Sequence, residues 1–179
     1  SYRKLVSGLL IFSLFNSSDI FLLLQVKQAG FDDAMVIGVY IFYNLIYALF
    51  AFPMGILADH FGLKVIFILG LGLFAFVYLG MAIFTSQTMI FVLFFIYGLY
   101  ASMTEGIAKA WITNITDKKD TATAIGTFTG LQSISTMLAS SMTGLLWYQY
   151  GANTAFGITA LAACCLVLYF SSLPRAKAI

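Results

Sequence analysis

Charged and amide side chains that lie inside apolar segments are the first candidates for chemistry in this sequence. Asp19 follows Asn16 by three residues, and Glu105 precedes Lys109 by four, so each pair lies on one face of a helix. Because a charge is costly in an apolar environment, each charged residue of these pairs is a candidate for function. Asp19 either binds a proton or a solute, or it is a structural carboxylate satisfied by Asn16, Ser18 and the backbone.

Glu105 and Lys109 also allow two interpretations. They either form a self-contained ion pair or exchange partners at an inner gate. At ~1.5 Å per residue, Asp19 lies about 21 Å beyond Leu5, and Glu105 lies about 25 Å beyond Thr88 on a later segment of opposite direction. The carboxylates of Asp19 and Glu105 are therefore predicted at different depths, as two stages of one pathway.

Hydroxyl and amide side chains follow helical spacing in three further segments. They are Tyr40, Asn44 and Tyr47; Tyr97, Tyr100 and Thr104; and Thr129, Gln132, Ser133, Thr136 and Ser140. Such stripes either line a polar cavity or serve for packing and interfacial anchoring. The predicted substrate and proton pathway comprises Asp19, Asn16, Tyr40, Asn44, Tyr97, Tyr100, Glu105, Lys109 and Gln132.

The composition shows what surrounds these residues. Hydrophobic residues make up 61% of the chain and charged residues 9%, whereas an average soluble domain has about 25% charged residues. So few charges cannot cover the surface of a soluble fold, and the apolar surface must therefore face lipid. A formal net charge of +2 is too small to suggest a nucleic-acid partner.

The sequence contains no evident set of residues for catalysis, cofactor binding or metal binding. The single histidine, His60, lies in a polar turn, and the two cysteines, Cys164 and Cys165, are adjacent within an apolar run. Neither a nucleophile–base–orienter set nor a nucleotide-binding loop is present. We therefore predict that the protein is not an enzyme and that it carries no cofactor or metal.

Polar breaks divide the chain into six apolar segments, each long enough for a bilayer helix of ~20 residues. The segments are Leu5–Val26, Ala34–Ala58, Leu63–Phe84, Thr88–Ile112, Thr121–Tyr148 and Asn153–Leu173. The connections between them are short and leave little chain for a soluble domain. Residues 1–179 are therefore predicted to form a single all-helical membrane domain.

The distribution of Lys and Arg predicts the orientation of this domain. Six spans put both termini on the same side of the membrane, and the opposite side carries only Lys27. The basic residues on the side of the termini are Arg3, Lys4, Lys64, Lys118, Lys119, Arg175 and Lys177. Since cytoplasmic loops are enriched in Lys and Arg, both termini are predicted to be cytoplasmic.

Residues 55–64, GILADHFGLK, interrupt the apolar pattern between the second and third segments. Gly55 permits a close helix approach, and Asp59 can cap the N-terminus of the third helix, where the dipole favours an anion. Gly62 can adopt turn geometry that is closed to other residues, and Lys64 anchors the cytoplasmic face.

This stretch resembles the cytoplasmic loop motif of the major facilitator superfamily. The matching residues are Gly55, Leu57, Ala58, Asp59, Gly62 and Lys64. His60 and Leu63 stand where the family usually has arginines. Two more stretches, FNSSDIFLLL and YGLYASMTEGIAKAWITNITDKKDTATAIGTF, resemble bacterial members, so that the resemblance covers essentially the whole chain.

The resemblance implies helices seven to twelve of a twelve-helix transporter, built as two inverted three-helix repeats. It implies an integral protein of the bacterial cytoplasmic (inner) membrane, with a six-helix N-terminal half as its partner in the lipid bilayer. The implied activity is secondary active transport of a small solute by alternating access. Asp19 and Glu105 can titrate and no nucleotide site is evident, which favours proton-coupled efflux or antiport. Asp59 would then help to hold the cytoplasmic ends of the two bundles together.

A single bundle leaves several possibilities open. The chain is a fragment of a longer protein, one polypeptide of a split pair, or a half that pairs with a second copy; a start at SYRKLV, without Met, favours the first. The alternative function is a membrane-embedded module that binds lipid or protein without transport. For a transporter, the tyrosine and amide groups favour a neutral, amphiphilic or cationic solute.

Overall fold

A computed structural model describes residues 2–173, so that Arg175 and Lys177 of the orientation argument lie outside the described residues. Within this range the chain forms seven α-helices joined by short connections. They are α1 (Tyr2–Ser13), α2 (Ile20–Gln28), α3 (Asp33–Phe61), α4 (Leu63–Ile83), α5 (Gln87–Asn114), α6 (Thr121–Tyr150) and α7 (Ala152–Ser172).

The first predicted segment is broken in the structure. Residues 14–19 separate α1 from α2, so the prediction of one continuous helix over Leu5–Val26 is wrong. The break contains four consecutive short polar residues, NSSD at positions 16–19, and such side chains compete with helical hydrogen bonds. In this break the backbone N–H of Ser18 donates to a side chain of another helix, Oγ of Ser140 on α6, at 3.1 Å.

The boundaries of the other helices follow local signals. Asp32 caps α3, since its side chain accepts a hydrogen bond from the backbone N–H of Met35 at 2.7 Å. Gly62 and Gly151 end α3 and α6 with φ angles of 99° and 85°, which other residues rarely adopt. The second to sixth predicted segments therefore agree with α3 to α7 to within a few residues.

Four helices of the described chain, α3, α4, α5 and α7, are long and apolar enough to cross a membrane. α6 has sufficient length, with 30 residues, but its Thr, Ser and Gln side chains make it more polar. α1 and α2, with 12 and 9 residues, are each shorter than a bilayer requires. The prediction of an all-helical chain is thus confirmed over residues 2–173, whereas six spans and the inverted repeat stay predictions.

α4 and α5 form the centre of the bundle. α4 packs along α5 and α7, α5 also packs on α3, and α6 contacts α7 and α1. Aromatic rings contribute to the core between these helices, and Phe74 lies against both Tyr78 and Tyr100. Only four residues are buried in α3 and four in α6, against ten in the shorter α4. α3 and α6 therefore lie at the edge, with most of their surface outside the core.

The GILADHFGLK stretch differs from two of its predictions. Asp59 lies in the last turn of α3, and no side chain caps α4, so the prediction that Asp59 caps this helix is wrong. The reason is that α3 continues to Phe61, and Gly62 alone makes the turn. Gly55 makes no close helix contact either, since nothing within the described residues lies within 4 Å of where its Cβ would be.

Lys64, at the start of α4, is an anchor within the protein. Its Nζ donates to the carbonyl oxygen of Ser171 at 2.9 Å and to that of Leu173. These carbonyls belong to the C-terminal end of α7, where helical carbonyls lack partners and the dipole favours a cation. Lys64 therefore ties the beginning of α4 to the end of α7.

Candidate functional site

Asp19 lies at the break between α1 and α2, and both oxygens of its carboxylate accept hydrogen bonds. Tyr97 on α5 donates to Oδ1 at 2.6 Å, and Tyr43 on α3 donates to Oδ2. The rings of the two tyrosines meet edge-on, with centroids 5.2 Å apart. The carboxylate is thus held by two helices and satisfied within this chain, and hydrogen bonds to a charged group are among the strong ones.

A close contact between α3 and α5 brings these two tyrosines together. A Cβ added at Gly98 would lie 2.7 Å from the carbonyl oxygen of Tyr43 and 2.7 Å from Cβ of Ile46. Any side chain at this position would therefore push the two backbones apart. Tyr97 immediately precedes Gly98, so the glycine sets the distance between the two hydroxyl groups that bind Asp19.

Polar side chains connect the break to Glu105 along α5. Asn16 donates from Nδ2 to the hydroxyl of Tyr100 at 3.2 Å, and the rings of Tyr97 and Tyr100 lie 5.2 Å apart. Tyr100 lines a cavity that Glu105 also lines. A short series of tyrosine and amide groups therefore lies between the two carboxylates that the sequence separates in depth.

This cavity, of about 150 Å³, lies between α1, α4, α5 and α6. Its polar lining consists of Ser13, Asn16, Tyr100, Thr104, Glu105, Lys109 and Gln132. Its apolar lining consists of Leu9, Phe12, Phe67, Ala108 and Phe128. The cavity thus combines one acid, one base and several neutral hydrogen-bonding groups with aromatic walls, as is typical of sites for small molecules.

Glu105 and Lys109 do not form the self-contained ion pair that was one interpretation of their spacing. Among residues 2–173, the ion pair with an N–O distance of 4.0 Å or less is Lys27–Asp33, on exposed side chains. Glu105 and Lys109 are both exposed, and Tyr47 on α3 lies near the glutamate. The two charged groups therefore both line the cavity, and they make no direct contact with each other.

The structure places the predicted pathway residues in two groups and leaves two outside. Asn16, Tyr100, Glu105, Lys109 and Gln132 line the cavity, and Tyr97 binds Asp19. Tyr40 and Asn44 belong to neither group. The amide of Asn44 donates to the backbone carbonyl of Tyr40 at 2.8 Å, one turn earlier on the same helix.

Tyr43 is the residue that the sequence interpretation missed. It lies on the same helix face as the two tyrosines of the predicted polar stripe, three residues after Tyr40 and four before Tyr47. Tyr43 is 6% exposed and Tyr40 is 45% exposed, so only Tyr43 turns inward to Asp19. The spacing was a sufficient signal for the face, but it could not tell which tyrosine pointed to the carboxylate.

Two further hydroxyl groups belong to this polar region. Ser17 in the break and Tyr78 on α4 are buried, and neither hydroxyl has a hydrogen-bond partner within the described chain. Buried polar groups without a partner are rare in proteins. No three His, Cys, Asp or Glu side chains come together as a metal site within residues 2–173. The carboxylate, amide and hydroxyl groups that are present can bind protons and form hydrogen bonds.

Comparison with known proteins identifies the family to which this chain belongs. The family model described as Major Facilitator Superfamily matches residues 5–178. A curated MFS-type transporter of Methanocaldococcus jannaschii, itself uncharacterized, is 34% identical over 143 residues, which are 76% of this chain and 36% of that protein. The chain thus spans 36% of the length of this relative. With a match over nearly its whole length, this chain of apolar helices belongs to the major facilitator superfamily and is an integral membrane protein.

Proposed function

We propose that the chain forms one of the two helix bundles of a secondary transporter that moves a small solute by alternating access. The observation that carries this proposal is the cavity that holds Glu105 and Lys109 beside the break at Asp19. Charged residues are expensive inside a membrane, and transporters place their binding sites where spanning helices are interrupted. A purely structural bundle needs neither feature.

The second bundle would cover the edge helices α3 and α6. Most of their residues lie outside the core, and α6 carries hydroxyl and amide groups that suit an aqueous cavity better than lipid. In this arrangement the cavity lies between the bundles and opens to one side at a time. The partner is the remainder of a longer chain, a separate polypeptide or a second copy.

We expect six spans with cytoplasmic termini in the cytoplasmic (inner) membrane. In this proposal α1 and α2 together make the first span, and the six spans form two inverted three-helix repeats. Lys118 and Lys119 then lie on the cytoplasmic side and Lys27 on the outside. A membrane-impermeant thiol reagent, applied to intact cells, should label Lys27→Cys and spare Lys118→Cys. The reverse labelling pattern contradicts this orientation.

Proton coupling, as efflux or antiport, is the mode that the two carboxylates support. Asp19 and Glu105 can both take up and release a proton, and Tyr97 and Tyr100 lie between them. Each half of an alternating cycle could therefore expose one of the two carboxylates.

The test uses the assembled transporter, meaning this chain with its second bundle, reconstituted into vesicles. Solute-dependent proton flux should be lost in Asp19→Asn and in Glu105→Gln. Asp33→Asn is the matched control, since Asp33 is an exposed carboxylate outside the pathway. Undiminished flux in both pathway variants rejects the coupling, and a complete lack of solute flux favours a lipid-binding or protein-binding module.

Asp59 is proposed as a conformational latch between the bundles. It is exposed in the last turn of α3, where the helix dipole disfavours an anion, and this suggests a cationic partner on the second bundle. Leu63, in place of the arginine usual in the family, makes the latch weaker. Asp59→Asn should leave solute affinity nearly unchanged and shift the population towards inward-open states, measured with distance-reporting labels. A large loss of affinity without such a shift points instead to direct binding.

A further inference from the structure

The charges around the cavity indicate which class of solute it can hold. Glu105 and Lys109 are the two charged residues among its lining groups in the described chain, so the charge of the lining sums to zero. Asp19 is not part of the lining, and both of its oxygens already accept hydrogen bonds from tyrosines. The solute that enters therefore meets one anion and one cation.

The two charges are held apart rather than combined. Four residues of helix separate Glu105 from Lys109 by about 6 Å along the axis of α5, a spacing at which such pairs often join. The structure nevertheless has no N–O contact of 4.0 Å or less between them, nor any other ion pair on either within residues 2–173. Each charge remains available for a group of opposite sign.

A solute with a single charge fits this arrangement poorly. A cation bound at Glu105 would lie beside the ammonium group of Lys109, and an anion bound at Lys109 would lie beside the carboxylate of Glu105. Once the proposed second bundle closes over the cavity, a neutral solute would leave both charges without ionic partners, and this is costly. A molecule that carries both signs at neighbouring positions satisfies both charges.

The remaining lining suits a molecule of this kind. Asn16, Thr104 and Gln132 can orient polar groups, and Phe12 and Phe128 supply apolar walls for a short side chain. A volume of about 150 Å³ suits a small molecule. On the basis of the proposed transport function, we infer that this cavity binds a small zwitterion of the amino-acid type, with its ammonium group at Glu105 and its carboxylate at Lys109.

Equilibrium binding to the purified assembled transporter tests this inference without any need for transport. The probes are neutral amino acids from glycine to phenylalanine, each compared with its methyl ester, which is a cation at mildly acidic pH, and its N-acetyl form, which is an anion. At least one free amino acid should bind about tenfold more tightly than both of its singly charged derivatives, because each derivative loses one charged hydrogen bond. Equal or tighter binding of the esters or the N-acetyl forms, or no binding of any amino acid, overturns the inference.

Substitutions then assign the two ends of the zwitterion. Glu105→Gln should weaken binding of the amino acid at least about tenfold while it spares the N-acetyl form, and Lys109→Gln should do the same while it spares the ester. Lys27→Gln removes a lysine that lies outside the cavity, and it should leave every affinity unchanged. Unchanged amino-acid affinity in Glu105→Gln and Lys109→Gln overturns the inference, because the cavity then lacks the proposed contacts.

Flux measurements on the same preparation separate this inference from the proposed function. Proton-driven flux of some other solute, without amino-acid binding, rejects the zwitterion and leaves the transporter proposal intact. Amino-acid binding that depends on Glu105 and Lys109, without flux of any kind, supports the site and rejects transport.

Discussion

The carboxylates of Asp19 and Glu105 both lie within apolar parts of the chain, but they differ in what surrounds them. Asp19 accepts hydrogen bonds from Tyr43 and Tyr97, so two helices of the same bundle hold it in place. Glu105 is exposed at a cavity, and its nearest basic residue in sequence, Lys109, does not pair with it. The carboxylate of Asp19 thus has its hydrogen-bond donors within the chain, whereas the carboxylate of Glu105 is exposed and can bind a group from outside the chain.

This difference separates two roles that a charge within an apolar helical domain can have. A carboxylate with internal partners links the helices that supply them, and its removal should be felt as a loss of stability. A carboxylate without such partners contributes little to the fold and is available for a solute, a proton or the second bundle. Four predictions test this separation by stability, measured as the free energy of unfolding by denaturant in detergent micelles.

The largest effect is expected at the contact that assembles the Asp19 site. Gly98→Ala should lower the free energy of unfolding by about 3 kcal/mol, because the added methyl group meets a backbone carbonyl that cannot move aside. Gly106→Ala is the matched control on the same helix: its Cβ meets open space, and it should stabilise by up to about 1 kcal/mol. Equal effects of the two would show that the close approach of α3 and α5 is not required.

Loss of the charge at Asp19 should come next. Asp19→Asn should cost about 2 kcal/mol, since two hydroxyl groups lose a charged acceptor. The matched control Asp33→Asn breaks only an exposed ion pair with Lys27 and should cost at most about 0.5 kcal/mol. If the two variants are equally stable, Asp19 is not held as the structure indicates.

A smaller effect is expected for a single hydroxyl group. Tyr43→Phe should cost about 0.6 kcal/mol, a typical contribution of one hydrogen bond between helices in a membrane. Tyr40→Phe should change stability by less than the error of the measurement, because its exposed ring has no role at Asp19. A larger loss for Tyr40→Phe than for Tyr43→Phe would reverse the assignment of the two tyrosines.

The smallest effect on stability should be at the cavity itself. Glu105→Gln and Lys109→Gln should each stay within about 0.5 kcal/mol of the unchanged chain, as for other exposed residues outside an ion pair. A loss of 2 kcal/mol or more at either position would mean that the residue has a structural partner, as Asp19 does. Such a result would remove the distinction between the two carboxylates.

Most of the helical architecture follows from the sequence. The apolar runs and their polar interruptions predicted the helices α3 to α7 to within a few residues, because length and hydropathy are local properties. The first segment was the exception. Its apolar residues favour one long helix, but the NSSD stretch at positions 16–19 has partners on other helices. The side chains of Asn16 and Asp19 hydrogen-bond to tyrosines on α5 and α3, and the backbone N–H of Ser18 donates to a serine on α6.

The sequence by itself determined that the chain is an apolar helical membrane protein and that Asp19, Glu105 and Lys109 are its costly charges. Composition and helical spacing suffice for these conclusions, since both depend on residues near one another in the chain. Only the tertiary structure decided that Tyr43 rather than Tyr40 reaches Asp19 and that Glu105 and Lys109 stay apart. These outcomes depend on how closely α3 and α5 approach at Gly98 and on the space between α1, α4, α5 and α6. Helical periodicity contains information on neither.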